Sequence, residues 1–281
     1  EKGRDRFSFA HLTFQEYFAA CYIVNKYYLL GVPKLWEEEL RKRLHDPRWQ
    51  EVMLLILGKQ NSFPGVTSTL IANILNAQSD YDDILQRDLL FAGRCLGDDI
   101  SIETRIKNSI IDGLFNLFEN GKYRGLINNA LNILIGMRGS KYEDEVAEKF
   151  IKALEDEQWN VRSSAAKAFG NLGKSSDNVI SALIKAFGDD NSSVRSSAVE
   201  ALGNLGKSSE DVIPPLIKTL ADDNRSVRSN AALALGRIGK SSEDVIPPLI
   251  KALESDNDNV RSSAASALSK LGSKIHDVKT V

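Results

Sequence analysis

The sequence predicts an all-α protein: a right-handed α-solenoid of paired helices preceded by a non-repeating helical segment. Three observations predict it. Apolar residues recur at helical spacing, as in Val161, Ala165, Ala168, Phe169 and Leu172, and nothing upstream of Ala168 alternates as a strand would. The dipeptide Val-Arg returns at Val161-Arg162, Val194-Arg195, Val227-Arg228 and Val260-Arg261, every 33 residues, and the stretches between align without gaps. The tetrapeptide GKSS recurs with the same period at 173–176, 206–209 and 239–242. A fixed period of this length is the signature of stacked supersecondary units, none of which can bury its apolar stripe alone.

Gly-Lys-Ser also ends the phosphate-cradling P-loop, G-x-x-x-x-G-K-[ST], whose backbone N–H groups wrap the phosphates. Here the residue five before Gly173 is Ala168, no strand precedes it, and three phosphate sites at one period make no chemical sense. The glycine reads instead as the left-handed residue closing a helix, and Ser-Ser-Asp/Glu as the cap of the next one.

Composition narrows the function. With 281 residues, 42% apolar and 26% charged, the chain can bury a sizeable core, while a net charge of −2 and the lack of a basic run argue against a nucleic-acid partner. Cys21 and Cys95 lie in apolar helical stretches without CxxC spacing, which predicts reduced, buried thiols and a cytoplasmic protein. No uninterrupted apolar run approaches the ~18 residues a membrane span requires. The pattern is already under way at Glu1, as in a piece of a larger protein.

Taken in order, the elements fall into three regions, 1–24, 25–141 and 142–281. In the first, Phe14, Tyr17, Phe18, Cys21 and Tyr22 form a broad apolar helical face, with Gln15 and Glu16 opposite. In the second, Asp46-Pro47 opens a helix through "RWQEVMLLILG", further helices are expected over 81–96, 103–118 and 123–137, and Gly121 separates the last two. The span 103–137 reads as a divergent repeat, since "NNALNILIGM" loosely matches "SSAAKAFGNL". In the third, each unit is two helices. The first, as in "DVIPPLIKTL", has Pro214 and Pro215 near its start, where missing N–H groups cost least. The second, as in "SVRSSAVEALGNLG", puts Val194, Ala198, Ala201, Leu202 and Leu205 on one face, with Asn191, Asn224 and Asn257 as N-caps. The closing "SKIHDVKTV" is polar enough to cap the stack.

The motif D-x-x-x-V-R-x-x-A, closing with A-L-G-x-L-G over about 142–272, resembles HEAT repeats, particularly the short variety shared with phycobilin lyases. The T-P-L-H turn of ankyrin repeats, which share the period, is absent. The resemblance implies a structural ladder: Arg162, Arg195, Arg228 and Arg261 pair with an acidic residue of the turn within each repeat. The matching residues are Asp156, Asp189 and Asp222, and Ser255 in the last unit puts its rung in doubt.

Near the N-terminus, "FAHLTFQEYFAA" looks like the end of the winged-helix domain of NACHT-type (STAND) signal-transduction ATPases, whose wording is F-x-H-x-[ST]-F-Q-E-[YF]-F-A-A. "HDPRWQEVMLLILG" and "RDLLFAGRCLGDD" resemble the helical segment that follows it in bacterial members, so this likeness covers about 7–100. It implies that His11 touches the phosphates of bound ADP in a full-length parent, where ADP, ATP and magnesium act. The P-loop, magnesium-holding acids and sensor arginine have no counterpart here, so the chain itself needs no cofactor and is not an enzyme. His45 and His276 lie beside expected loops and form no metal set.

The function implied is that of a sensor: the C-terminal region of a NACHT ATPase, in contact with its upstream module, whose repeats recognise a protein trigger in signalling or antiviral defence. The alternatives are a free-standing interaction scaffold and, on the repeat type alone, a phycobilin lyase. A partner is expected on a concave surface lined by the second helices. There the register of Lys167, Glu200, Leu233 and Ser266 varies between units, as does that of Asn171, Asn204, Arg237 and Lys270. Leu233 stands out as an exposed leucine, and Ser163, Ser196, Ser229, Gly170, Gly203 and Gly236 are small enough to leave a groove.

Overall fold

The computed structural model describes residues 12–206, 211–238 and 244–279, with side chains as far as Gly272 except that of Pro64. Among the described residues every regular element is helical, and no helix is long and apolar enough to cross a membrane. The chain forms two compact units, Glu1–Glu143 and Asp144–Val281.

In the first unit, α1 (Leu12–Tyr27) packs on α3 (Gln50–Lys59) and buries Ala20, Ile23 and Tyr27. Between them, α2 (Val32–Leu35) runs into a wide turn over Trp36–Leu40, whose Glu38 and Glu39 accept from the Tyr27 hydroxyl at 2.9 and 3.0 Å. The broad apolar face read on α1 is turned outward: Phe14 is 59%, Phe18 51% and Tyr22 67% exposed. An apolar stripe registers the need for a partner without specifying which neighbour supplies it.

After α3 come α4 (Pro64–Leu75), α5 (Asp82–Leu85), α6 (Arg87–Gly97), α7 (Thr104–Asn120) and α8 (Arg124–Gly136). Helix α6 packs against α4, α7 and α8 and buries Phe91, Cys95 and Leu96. Two expectations need correction. Asp46-Pro47 opens a turn rather than the helix: the Asp46 carboxylate accepts from Arg48 N at 3.0 Å and its carbonyl from Trp49 N at 2.9 Å, so α3 starts at Gln50. The single helix expected over 81–96 is broken at Gln86, whose φ of 50° is left-handed and redirects the chain between α5 and α6. Helix α4, begun by Pro64 in its first turn, had not been anticipated.

The second unit alternates first helices α9 (Glu143–Ala153), α11 (Asp177–Lys185), α13 (Ile213–Thr219) and α15 (Ile246–Ala252) with second helices α10 (Trp159–Leu172), α12 (Ser192–Leu205), α14 (Arg225–Ile238) and α16 (Asp258–Lys279). The second helices pack in sequence, α10 on α12, α12 on α14 and α14 on α16, and each first helix from α11 onward packs on the second helix that follows it. This is the α-solenoid arrangement. Its caps are those the residue types call for: Asn191, Asn224 and Asn257 each accept from the backbone N–H two residues on, at 2.9, 2.9 and 3.1 Å.

Gly173 and Gly206 end their helices at φ 70° and 63°, while residues 207–209 and 239–242 of the later GKSS copies lie outside the described residues. Ser176 occupies the N-cap of α11 without a side-chain hydrogen bond, and Lys174 pairs with Asp144 at 2.5 Å. Pro214-Pro215 and Pro247-Pro248 sit in the first turn, so α13 and α15 begin at Ile213 and Ile246, three residues later in register than the proline-free α11. The core is aliphatic, anchored by Phe150 and Phe169, which meet edge to face at 6.0 Å; full burial of each contributes roughly 1.5–3 kcal/mol.

Candidate functional site

The second helices carry both sets of residues singled out in the sequence. The arginines come first because they fix the spacing of the units. Arg162 sends Nη1 to the carbonyls of Asp156 and Glu157 in its own turn, both at 2.9 Å. Its Nε and Nη2 clasp the Asp189 carboxylate of the next unit at 2.7 and 2.9 Å, and Nη2 also reaches Asp190 at 2.8 Å. Arg195 repeats this on Asp189 and Asp190 carbonyls and on the Asp222 carboxylate at 2.8 and 2.9 Å, with Asp223 at 2.6 Å. The carboxylate is thus the next unit's, not the arginine's own, and each guanidinium joins two turns. In sequence the partner lies 27 residues ahead, where pairing within a repeat would have put it six behind.

This corrects the place of the weak rung. Ser255 removes the carboxylate from Arg228, which keeps its own turn's carbonyls at 2.9 and 3.0 Å and touches Asp256 at 3.4 Å. Arg261 still donates to the Ser255 carbonyl at 2.7 Å and pairs with Asp258. Burial pushes the Asp189 and Asp222 carboxyls up, but the arginine forks and the N–H groups of Asn191 and Asn224 outweigh it and hold both below the usual aspartate range.

The variable rows behave differently. Lys167, Asn171, Glu200 and Asn204 are exposed and, with Ser197 and Ala201, line one cleft of about 300 Å³ on α10 and α12. Lys167 and Glu200 have no ion-pair or hydrogen-bond partner among the described residues. Arg237 extends the row by donating to the Asn204 amide oxygen at 2.5 Å. Leu233, expected to be exposed, is half-buried on α14, so it is a packing residue.

The small residues do not leave a groove; they bring the helices together. A Cβ on Gly203 would lie 2.9 Å from the Ala234 Cα and one on Gly236 2.7 Å from the Ala267 Cα, while Gly170 approaches Ala201 less closely, at 3.2 Å. Ser163 and Ser229 hydrogen-bond Ser197 and Ser263 of the next unit at 2.9 and 2.8 Å, and Ser196 receives the Asn230 amide at 3.0 Å.

Elsewhere, His11 and the side chain of His276 lie outside the described residues. His45 Nε2 meets the buried Asp88 carboxylate at 2.6 Å and the Ser79 hydroxyl at 2.9 Å. Among the described residues no group of three or more His, Cys, Asp or Glu could hold a metal ion. Both cysteines are free thiols; Cys95 is buried, which pushes its pKa up to about 12, whereas Cys21 is half-buried rather than buried.

The family profile of HEAT repeats matches three overlapping stretches, 129–203, 147–235 and 213–279. No curated protein matches the chain in sequence. Among solved structures, an engineered protein is similar at 18% identity and TM-score 0.44, over 94% of this chain and 76% of that one. A designed armadillo repeat protein, YIII(Dq)4CqI, is similar at 21% identity and TM-score 0.43, over 73% and 99%. A third, the designed armadillo repeat protein YIII(Dq.V1)4CPAF in complex with the peptide (KR)4, gives 19% and 0.42, over 83% and 98%. Since the profile spans more than half of the 281 residues, the chain belongs to the HEAT-repeat family.

Proposed function

We propose that this chain is the non-catalytic, regulatory C-terminal region of a bacterial NACHT-type ATPase acting in the cytoplasm, and that its repeats recognise a protein trigger. The observation carrying recognition is the cleft on α10 and α12. Lys167 and Glu200 stand there unpaired beside the amides of Asn171 and Asn204, and Arg237 continues the row. Hydrated, uncommitted groups of both signs are available to a partner's complementary groups, whereas the ladder arginines Arg162 and Arg195 are committed within the fold. The parent reading rests on "FAHLTFQEYFAA" and is supported by the outward aromatic face of α1, which suits a packed upstream module. In that parent His11 contacts ADP, and a trigger activates by binding the open, ATP-ready state more tightly than the closed one; equal affinity for both would shift nothing.

Sequencing the gene upstream of the Glu1 codon tests the parent reading. A P-loop motif encoded in frame within several hundred codons supports it. A start codon immediately before Glu1 contradicts it and leaves a free-standing scaffold.

A further inference from the structure

Within the first unit, residues of α3, α6 and α8, with His45, line an open cleft of about 340 Å³ whose chemistry the preceding reading does not use. On α6, Arg87, Leu90, Phe91 and Arg94 follow the i, i+3, i+4, i+7 spacing that puts them on one face of the helix, and all four line the cleft. Arg94 is committed: it donates to the Gln50 amide oxygen at 2.5 Å and to Glu51 at 3.3 Å. Arg87 is not. It is half-buried and its guanidinium has no hydrogen-bond or ion-pair partner among the described residues. Its neighbour Asp88 is fully engaged, accepting from His45, from the Ser79 hydroxyl at 2.6 Å and from the Ser79 N–H at 3.1 Å.

Arg87 is also the first residue of α6, where the helix dipole is positive. An unpaired, half-buried cation there lowers stability. Such an arrangement is consistent with a group kept for binding. Across the cleft, Asn129 and Asn132 of α8 are exposed, without side-chain partners among the described residues, and Ile133 adds to the apolar floor with Leu90. Each asparagine offers both a donor and an acceptor, which suits a peptide main chain; a phosphate would call for donors alone. One uncommitted guanidinium matches one negative charge, hence a carboxylate held by a bidentate fork.

We infer that this cleft binds an acidic peptide segment: Arg87 clasps an Asp or Glu side chain, Asn129 and Asn132 hold the main chain, and an apolar neighbour packs on Leu90 and Ile133. The site lies entirely on the first unit and does not depend on the NACHT reading.

The test titrates the ¹⁵N-labelled 281-residue chain with acetyl-Leu-Glu-Leu-amide while following the arginine Nε–H and asparagine side-chain resonances. The Arg87 Nε–H and the two asparagine amides shift saturably, and acetyl-Leu-Gln-Leu-amide or the Arg87→Gln chain binds at least about tenfold more weakly. Arg87→Gln melts at the same temperature as the parent or higher, and Arg87→Lys, which keeps the charge but not the fork, binds between the two. Absence of a saturable shift, equal binding of the Gln peptide, or undiminished binding by Arg87→Gln overturns the inference. A markedly lower melting temperature for Arg87→Gln would make Arg87 a structural residue and overturn it too, and glutarate binding as well as the peptide would contradict the peptide assignment.

Discussion

At the scale of single residues, the arginines differ by what each loses on removal. Arg195 and Asp222 are 12% and 11% exposed, so Arg195→Ala leaves a desolvated carboxylate without its partner, at a cost of about 3–5 kcal/mol. Arg228 loses only its two carbonyl bonds and a long contact to a 91% exposed aspartate, so Arg228→Ala costs about 1–2 kcal/mol. Thermal or urea unfolding of the two variants checks the order, and equal losses would remove the distinction between complete and broken rungs. The converse change, Ser255→Asp, supplies the missing carboxylate to Arg228 and raises stability by about 1 kcal/mol in the same assay. Acid reads the same contacts. The carboxyls of Asp189 and Asp222 titrate lower in the fold than their ordinary value of 3.8, so their contribution is whole at neutral pH and is lost as pH falls below that value. Asp189→Asn with Asp222→Asn flattens the decline of stability with acid that the parent shows in urea titrations between about pH 5 and 2.

At the scale of elements, closeness between successive second helices rests on glycine. A Cβ at Gly203 would stand 2.8 Å from the Ala234 Cβ and 2.9 Å from its Cα, and backbone cannot yield as a flexible side chain would. Gly203→Ala therefore destabilises by about 1–3 kcal/mol, whereas Gly188→Ala, with nothing within 4 Å, leaves the melting temperature nearly unchanged. These contacts also mark what the sequence made legible. The caps at Asn191, Asn224 and Asn257 and the place of Pro214 and Pro215 near a helix start follow from local chemistry, so one repeat sufficed to read them. The role of the glycines and the forward reach of Arg162 to Asp189 depend on the neighbouring unit, which periodicity reports but does not orient. In the non-repeating unit even the helix boundaries were less legible: a left-handed Gln86 breaks a continuous apolar pattern, and α1 buries Ala20 and Ile23 instead of its aromatic face.

At the scale of the whole molecule, a repeat array lets structural and recognition residues share the same helices at different registers. The ladder register faces the turns of the next unit and is occupied by arginine in all four units; the register of Lys167 and Glu200 opens on the cleft. The central claim is that Lys167 and Glu200, with Arg237 of the adjacent row, serve a partner and not the fold. Lys167→Ala, Glu200→Ala and Arg237→Ala, combined in the full-length protein, probe it most directly, because alanine is the best helix former and none of the three side chains is buried. The measurement pairs thermal unfolding with the response of the full-length protein to its trigger. The account predicts an unchanged melting curve and a lost response; a variant that folds and responds like the parent, or one that unfolds, would contradict it.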